Sequence, residues 1–340
     1  MNPRMLKRLA IALVVLVVAW AGLGLARRAG RDREGRIRLT AFDPGVADGA
    51  LVVHGADSLR FVRRGAGWLV NGHMAAAGFV TAMLRGLADT AAPSELAAEN
   101  ASSLPQLGLD SGAAWSVTAL LGSRTLASLL VGTHGESSYG AVYVRQPGSN
   151  AAYLLTDEGL AGVTDRLPSD WRDKTIAKVP PESVAVVEVR RGARSYTLTR
   201  GPGGWSLGRS AADSAAVAGL LGQYSFLQAE GFADAAQSDS ARRARPNRQV
   251  TLEAKGGRPL LVLNMDSTRA GYWTWRQGDS VTYHLEAWTV DQLTPADSTL
   301  RPRPPAPAAP AARTAAAPAP ARPATRRAPP PPLPPQKPER

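Results

Sequence analysis

The sequence contains no cysteine. That excludes disulfides, thiolate nucleophiles, cysteine-bound zinc and iron–sulfur clusters, and it leaves the redox compartment open. Histidine is nearly as scarce: His54, His73, His134 and His284 are all there are. No two of them stand at i, i+4 spacing around a carboxylate, so the zincin arrangement is missing and no metal site is expected. No P-loop occurs, and Gly65-Ala66-Gly67 lacks the third glycine and following helix of a dinucleotide fingerprint. In "GESSYG", Gly135–Gly140, Tyr139 stands where a nucleophile elbow needs its second glycine, so Ser137 reads as a turn serine. His284 reads as a lone strand histidine, and Asp234 and Asp239 as solvated loop acids. The expectation is a protein that is not an enzyme, with no catalytic residue, no cofactor and no metal.

Acidic residues are also in short supply. Lys and Arg number 40 against 28 Asp and Glu, a formal charge of +12. The excess sits at the two ends. Residues 1–38 hold nine Lys/Arg against Asp32 and Glu34, and residues 300–340 hold eight against Glu339. Residues 39–299 are left close to neutral and carry no electrostatic footprint for DNA or RNA, so no nucleic-acid partner is expected.

The ends are distinctive in other ways. After a basic start at residues 1–8, residues 9–26 form eighteen uncharged, mostly apolar residues, at the lower edge of what spans a bilayer as a helix. A signal peptide cleaved after Ala19-Trp20-Ala21 is the rival reading; continuation of the apolar run to Ala26 favours an uncleaved anchor. Six arginines in the linker 27–48 outnumber Arg4, Lys7 and Arg8 before the span, and a strict positive-inside count puts the large domain in the cytoplasm. The short basic start before an apolar run is instead the ordinary export layout, and long domains translocate despite nearby charge. The expected location is the cytoplasmic membrane, single-pass, with the large domain on the extracytoplasmic side. Residues 299–340 hold fifteen of the 27 prolines and no apolar periodicity, which predicts a disordered, basic, polyproline-II-rich tail. Such a tail either contacts anionic lipid or an envelope polymer, or merely solubilises.

Between the ends the sequence repeats itself. Placing Gly55 over Gly192 lays "GADSLRFVRRGAGWLV" on "GARSYTLTRGPGGWSLG" without a gap, matching Ser58/Ser195, Phe61/Leu198, Arg63/Arg200, Gly67/Gly204 and Trp68/Trp205. The alternation reads as a half-buried strand, and the glycines as a tight reversal into a second one. A helix follows in each half, with apolar stripes Val80, Met83, Leu84, Leu87 and Val217, Leu220, Leu221, Tyr224 at i, i+3, i+4, i+7 spacing. Asp213 or Ser210 is the expected cap of the second helix. Four further strands and a short closing helix, around 157–167 and 287–293, complete each unit. The predicted fold class is α+β: two tandem, structurally similar repeats over 49–176 and 177–298, each a mainly antiparallel sheet packed with one main amphipathic helix.

Aromatics are few, 6% of the chain, which makes Tyr272, Trp273 and Trp275 conspicuous. Trp273 and Trp275 share one strand face, and two indoles there could stack on a sugar or flat ligand; alternatively they roof an apolar layer, since Val142 and Val144 lie near the same place in the first half. Arg172, Asp173 and Lys174 sit between the halves and form a candidate inter-repeat joint.

Several segments together, "LGLDSGAAWSVTALLG" (107–122), "VYVR" (142–145), "YLL" (153–155) and "WRDKTI" (171–176), resemble the bacterial domain-of-unknown-function family 4340, over roughly residues 50–295. The resemblance implies a membrane-anchored envelope protein, often encoded beside gliding-motility-type ABC transporters as an auxiliary component, and it transfers no catalytic residues. The second half departs from the pattern, lacking Gly-Leu-Asp and carrying "ARRARPNRQ" instead. The expected function is a non-enzymatic accessory or scaffold protein that binds a partner such as an ABC-transporter complex. The alternatives are an envelope glycan or small-ligand binder using Trp273 and Trp275, and a hydrolase using Ser137.

Overall fold

The computed structural model describes residues 35–136, 139–243 and 245–302. The apolar run 9–26, Ser137 and the tail beyond residue 302 lie outside the described residues. Among the described residues no helix is long and apolar enough to cross a membrane.

The chain is a mixed α+β protein built on antiparallel sheets. Its first half runs β1 (Gly49–His54), β2 (Asp57–Arg64), β3 (Gly67–Val70), β4 (His73–Met74), α1 (Ala77–Ala88), β5 (Ser94–Ala98), β6 (Trp115–Leu121), β7 (Arg124–His134), β8 (Ala141–Arg145), β9 (Ala152–Thr156) and α2 (Glu158–Asp165). These strands form one sheet in the order β4-β3-β2-β1-β6-β7-β8-β9-β5. After β10 (Thr175–Ala177), the second half runs β11 (Val186–Arg191), β12 (Arg194–Gly201), β13 (Gly204–Leu207), β14 (Ser210–Ala211), α3 (Ser214–Ser225), β15 (Leu227–Gln228), β16 (Gly231–Phe232), α4 (Ala235–Arg243), β17 (Arg248–Glu253), β18 (Pro259–Ser267), β19 (Tyr272–Arg276), β20 (Tyr283–Leu285) and α5 (Ala287–Leu293). Its sheet is ordered β14-β13-β12-β11-β17-β18-β19-β20-β16, while β10 and β15 pair separately.

Each sheet buries one face. Leu59 and Phe61 of β2 are buried while Ser58, Arg60 and Val62 between and beside them are exposed, the period-2 pattern of a one-sided strand. On α1 the buried positions include Val80, Met83, Leu84 and Leu87, and on α3 they are Val217, Leu220, Leu221 and Tyr224. These stripes close two separate apolar cores, one per sheet. Asp213 caps α3, accepting from the backbone N–H groups of Ala215 and Ala216 at 2.9 and 3.1 Å. The start of α1 has no side-chain cap; there the Ala76 N–H donates to the Trp171 carbonyl at 2.9 Å, which ties the helix entry to the far end of the same half.

The two Arg-x-x-x-Gly-Trp segments have a clear local task. The Arg63 guanidinium lies 5.3 Å from the Trp68 ring and donates to the carbonyls of Gly45 and Ala47. Arg200 lies 4.9 Å from the Trp205 ring and donates to the carbonyls of Pro181 and Glu182 at 2.7 and 3.3 Å. Each arginine thus packs on the tryptophan of its hairpin and holds the segment that leads into the sheet. The Gly-Leu-Asp stretch has another task. Gly108, at φ +64°, turns the chain so that Leu109 is fully buried beside Leu104 and Ala152. Thr133 Oγ1 and Arg145 Nε donate to the Leu107 and Leu109 carbonyls, at 3.2 and 2.8 Å. Residues 104–109 therefore form a lid on the side of β7–β9 turned away from the main core.

Some elements depart from the expected pattern. Helix α4 occupies a stretch read as a solvated loop. It is started by a reciprocal capping box, in which Gln237 N–H donates to Asp234 Oδ1 at 2.8 Å and Asp234 N–H to Gln237 Oε1 at 2.9 Å. The two-residue strands β4, β14 and β16 and the five-residue β5, which widen each sheet, were likewise not expected.

Candidate functional site

The segment 171–177 touches both halves. Trp171 is fully buried in the first core, edge-on to Phe61 at 5.1 Å and to Phe79 at 6.5 Å. Next, Arg172 bridges to Ala75, and the Asp173 N–H donates to the Met74 carbonyl at 2.8 Å, continuing the edge of the first sheet. The Lys174 carbonyl accepts from Ala229 N–H at 2.8 Å, and β10 then pairs with β15 in the second half. One strap of seven residues thereby forms backbone hydrogen bonds first to one half and then to the other.

Side chains from both halves meet beside this strap, around a cavity of about 130 Å³ lined by residues that include His73, Arg172, Asp173, Phe232, Arg276 and Asp279. The Arg172 guanidinium lies 3.6 Å from the centroid of the Phe232 ring, a cation–π contact across the junction. Arg276 and Asp279 form an ion pair at 2.6 Å. Asp173 Oδ1 accepts the Thr175 N–H at 2.9 Å, and Lys174 pairs with Asp170 at 2.6 Å. Burial and then the Arg172 charge hold His73 below its ordinary pKa, so it stays neutral here. Burial, offset only in part by attraction to Tyr283, lowers that of Arg172. Burial would raise the pKa of Asp279, but hydrogen bonds from Arg276 and the Val281 N–H outweigh it and keep the carboxylate charged. A cavity of this size is below the roughly 300 Å³ of a typical small-molecule site. Its charges are already paired or set on a ring, and the arrangement holds two bodies together.

The aromatic residues of β19 fall on two faces. Tyr272 turns toward the second core, with the Arg248 guanidinium 5.1 Å from its ring. Trp273 and Trp275 stand on the opposite face. Trp275 pairs in register with Asn264, whereas Leu263 and Met265 on either side are wholly buried in the core. Trp275 itself is 8% exposed, and Arg242 of α4 lies 5.9 Å from its ring. Trp273 is half-buried, edge-on to His284 at 5.3 Å. Helix α4 thus covers one of the two indoles, and the pair does not form an open stacking platform. Val142 and Val144 are not their counterparts by position, since both point into the first core.

One further constellation was not visible in the sequence. His134 Nε2 lies 2.7 Å from Asp165 Oδ1 and 3.0 Å from Thr164 Oγ1, on the rim of a cavity of about 620 Å³ that Glu136, Glu158 and Arg166 also line. Both partners of the pair are well exposed, 43% and 61%. Ser137, the candidate nucleophile of the hydrolase reading, lies outside the described residues. His134 and Asp165 are 31 positions apart, and only the return of α2 over β7 brings them together.

Comparison with known proteins adds one match. A family model described as Domain of unknown function (DUF4340) matches residues 69–254, from within β3 to the end of β17 and beyond, more than half of the chain. No curated protein and no solved structure matches.

Proposed function

The chain belongs to the DUF4340 family, and from that premise we propose that it is a non-enzymatic accessory or scaffold protein of the bacterial envelope. In this reading residues 9–26 anchor it in the cytoplasmic membrane with the two sheets on the extracytoplasmic side. Its partner is a membrane protein complex of the ABC-transporter type, held along the seam between the halves. The observation that carries the reading is the strap: residues 171–177 pair with Met74 and Ala75 on one side and with Leu227, Gln228 and Ala229 on the other, so that both halves contribute to one composite surface. Met74, 58% exposed at the mouth of the junction, offers that surface an apolar contact.

The two halves are tandem copies of one unit in this reading. Their sheets follow the same strand order, and Arg63–Trp68 and Arg200–Trp205 form the same clamp. The backbone also agrees in detail: Arg63 N–H donates to the Asp48 carbonyl and Arg200 N–H to that of Ala185, both at 2.8 Å.

A photo-reactive residue placed at Met74 in the full chain tests the partner. Cross-links from Met74 to subunits of a membrane complex, with none from Tyr139 on the far rim of the first half, are the expected result. Absence of protein adducts at Met74 in intact cells rejects the seam as a partner surface, and release of the chain by carbonate washing rejects the anchor.

A further inference from the structure

The tip of the β11–β12 hairpin carries an arrangement that the fold does not need. Arg191 stands directly opposite Arg194 on one side and Arg248 on the other, a cross-strand row of three arginines. Like charges directly opposite one another destabilise a sheet. The row is only partly neutralised. Asp291 of α5 serves two of its members, Arg248 at 2.7 Å and Arg191 at 3.4 Å, while Arg248 also donates to Thr294 Oγ1 at 2.7 Å. Asp297, which also feels the Arg194 charge, is engaged by Arg301 at 2.8 Å. Arg194 is exposed and has no hydrogen bond or ion pair among the described residues. Beside the row lies a cavity of about 690 Å³ lined by Arg191, Arg194, Ser195, Tyr196, Ala296 and Asp297.

The first sheet supplies the control. Its β1–β2 hairpin, at the corresponding place in the strand order, pairs His54 with Asp57, and His54 stacks on Trp115 with ring centroids 4.1 Å apart. The same hairpin therefore closes without a single arginine in that row. Repulsion kept where the fold can do without it marks a place prepared for an anion.

We propose that the Arg191–Arg194–Arg248 row, with the adjoining cavity, binds the phosphate group of a phosphorylated ligand. Guanidinium forks engage oxyanions bidentately, and a phosphate's three or four oxygens can meet the forks of both Arg191 and Arg194, where a carboxylate's two oxygens match only one fork bidentately. Arg248 is the most enclosed of the three, with 15% of its side chain exposed, and its bonds to Asp291 and Thr294 hold it as a fixed positive charge beside Arg191, outside the cavity lining itself. The phosphate belongs either to a soluble phosphorylated molecule or to an anionic lipid headgroup.

The experiment uses the full chain, so that its basic tail is present throughout. Thermal unfolding is followed with inorganic phosphate and with glycerol 3-phosphate, against sodium chloride at matched ionic strength, for the natural protein, Arg194→Gln, Arg191→Gln and the control Asp57→Gln. A ligand that binds only the folded state raises Tm with its concentration. The expected result is a phosphate-specific rise in the natural protein and in Asp57→Gln, with affinity reduced about tenfold or more in Arg194→Gln and Arg191→Gln. Unliganded Arg194→Gln should be no less stable than the natural protein, because the change relieves repulsion; that separates loss of a site from loss of fold. In parallel, flotation compares vesicles of phosphatidylglycerol with vesicles of phosphatidylcholine. A glycerol 3-phosphate response that depends on Arg194 identifies a soluble ligand. Flotation that depends on Arg194, without that response, identifies a headgroup. If neither response depends on Arg194, whether because none occurs or because all variants respond alike through the tail, the proposal is overturned.

Discussion

At the scale of single residues, the side chains with most at stake belong to the segment that joins the halves. Trp171 is fully buried, packed against Phe61 and Phe79, and its indole N–H has no partner among the described residues. Its worth is therefore packing rather than hydrogen bonding. Trp171→Ala should destabilise the first half by about 3–5 kcal/mol, measured by urea unfolding. Trp171→Phe, which keeps an aromatic ring and gives up an unpaired donor and part of the indole's volume, should cost distinctly less; equal losses would show that the packing account of Trp171 is wrong. His73 gives a pH test. Burial and the nearby Arg172 lower its pKa from 6.5 in the folded protein, so the unfolded chain binds more protons just below that value. Stability contributed by neutral His73 is thus present above pH 6.5 and is lost as the pH falls through 6.5 toward the folded-state value. Asp157, whose pKa is raised mainly by burial from 3.8, acts from the carboxylate side, so the comparison must be between variants. His73→Gln should flatten the fall in Tm between about pH 6.5 and 5. The effect should be small because His73 is largely exposed, and an unchanged slope would remove His73 as its source.

At the scale of elements, the fold depends on close backbone approach as much as on apolar stripes. A Cβ at Gly132 of β7 would overlap the Leu107 carbonyl oxygen and crowd Leu109. Gly132→Ala should lift the 104–109 lid and cost about 1–3 kcal/mol, seen as faster hydrogen exchange at residues 104–109 with the β1–β2 hairpin unaffected. The leucine of Gly-Leu-Asp is the plug of a small core that only a bare backbone on β7 can receive. The helical stripes of α1 and α3 were legible because four apolar residues at i, i+3, i+4, i+7 have no other good reading. Helix α4 was not, because its surface is polar almost all round and only Ala241 is buried; the reciprocal Asp234–Gln237 capping box was its one signal. The match of Trp273 and Trp275 to Val142 and Val144 failed for a different reason. Val144 is in register with Val131 in the first core, whereas Trp275 is in register with Asn264 on the outer side of the second sheet. The offset between the halves has changed by that point in the chain, and a slip of one residue sends every side chain to the other face. Two-residue strands such as β4 and β14 carry too little pattern to be read at all.

At the scale of the molecule, composition separated the middle of the chain from its two ends, and the paired Arg-x-x-x-Gly-Trp hairpins pointed to two similar halves. What it could not show is how the halves meet. Arg172 was visible as part of a linker, but Phe232, Arg276 and Asp279 lie 60, 104 and 107 positions away, and no local pattern links them. The junction is modest, a strap of backbone pairings and one arginine on one ring, so its strength should be concentrated in few contacts. Phe232 is half-buried on β16, beneath Arg172 at 3.6 Å and 5.7 Å from the Tyr283 ring. Phe232→Ala removes the cation–π contact, about 0.5–2 kcal/mol when partly desolvated, together with the packing of its ring on the margin of the second core. Amide exchange at residues 172–177 and 227–232 should then quicken roughly tenfold, while the strands that carry Val117 and Val250 keep their protection. If protection fell evenly through both sheets, the halves would form a single cooperative body, and a partner could not be gripped by their relative movement. If it fell only along the strap, the seam is the compliant part of the molecule, and a bound partner that spans it should restore the lost protection.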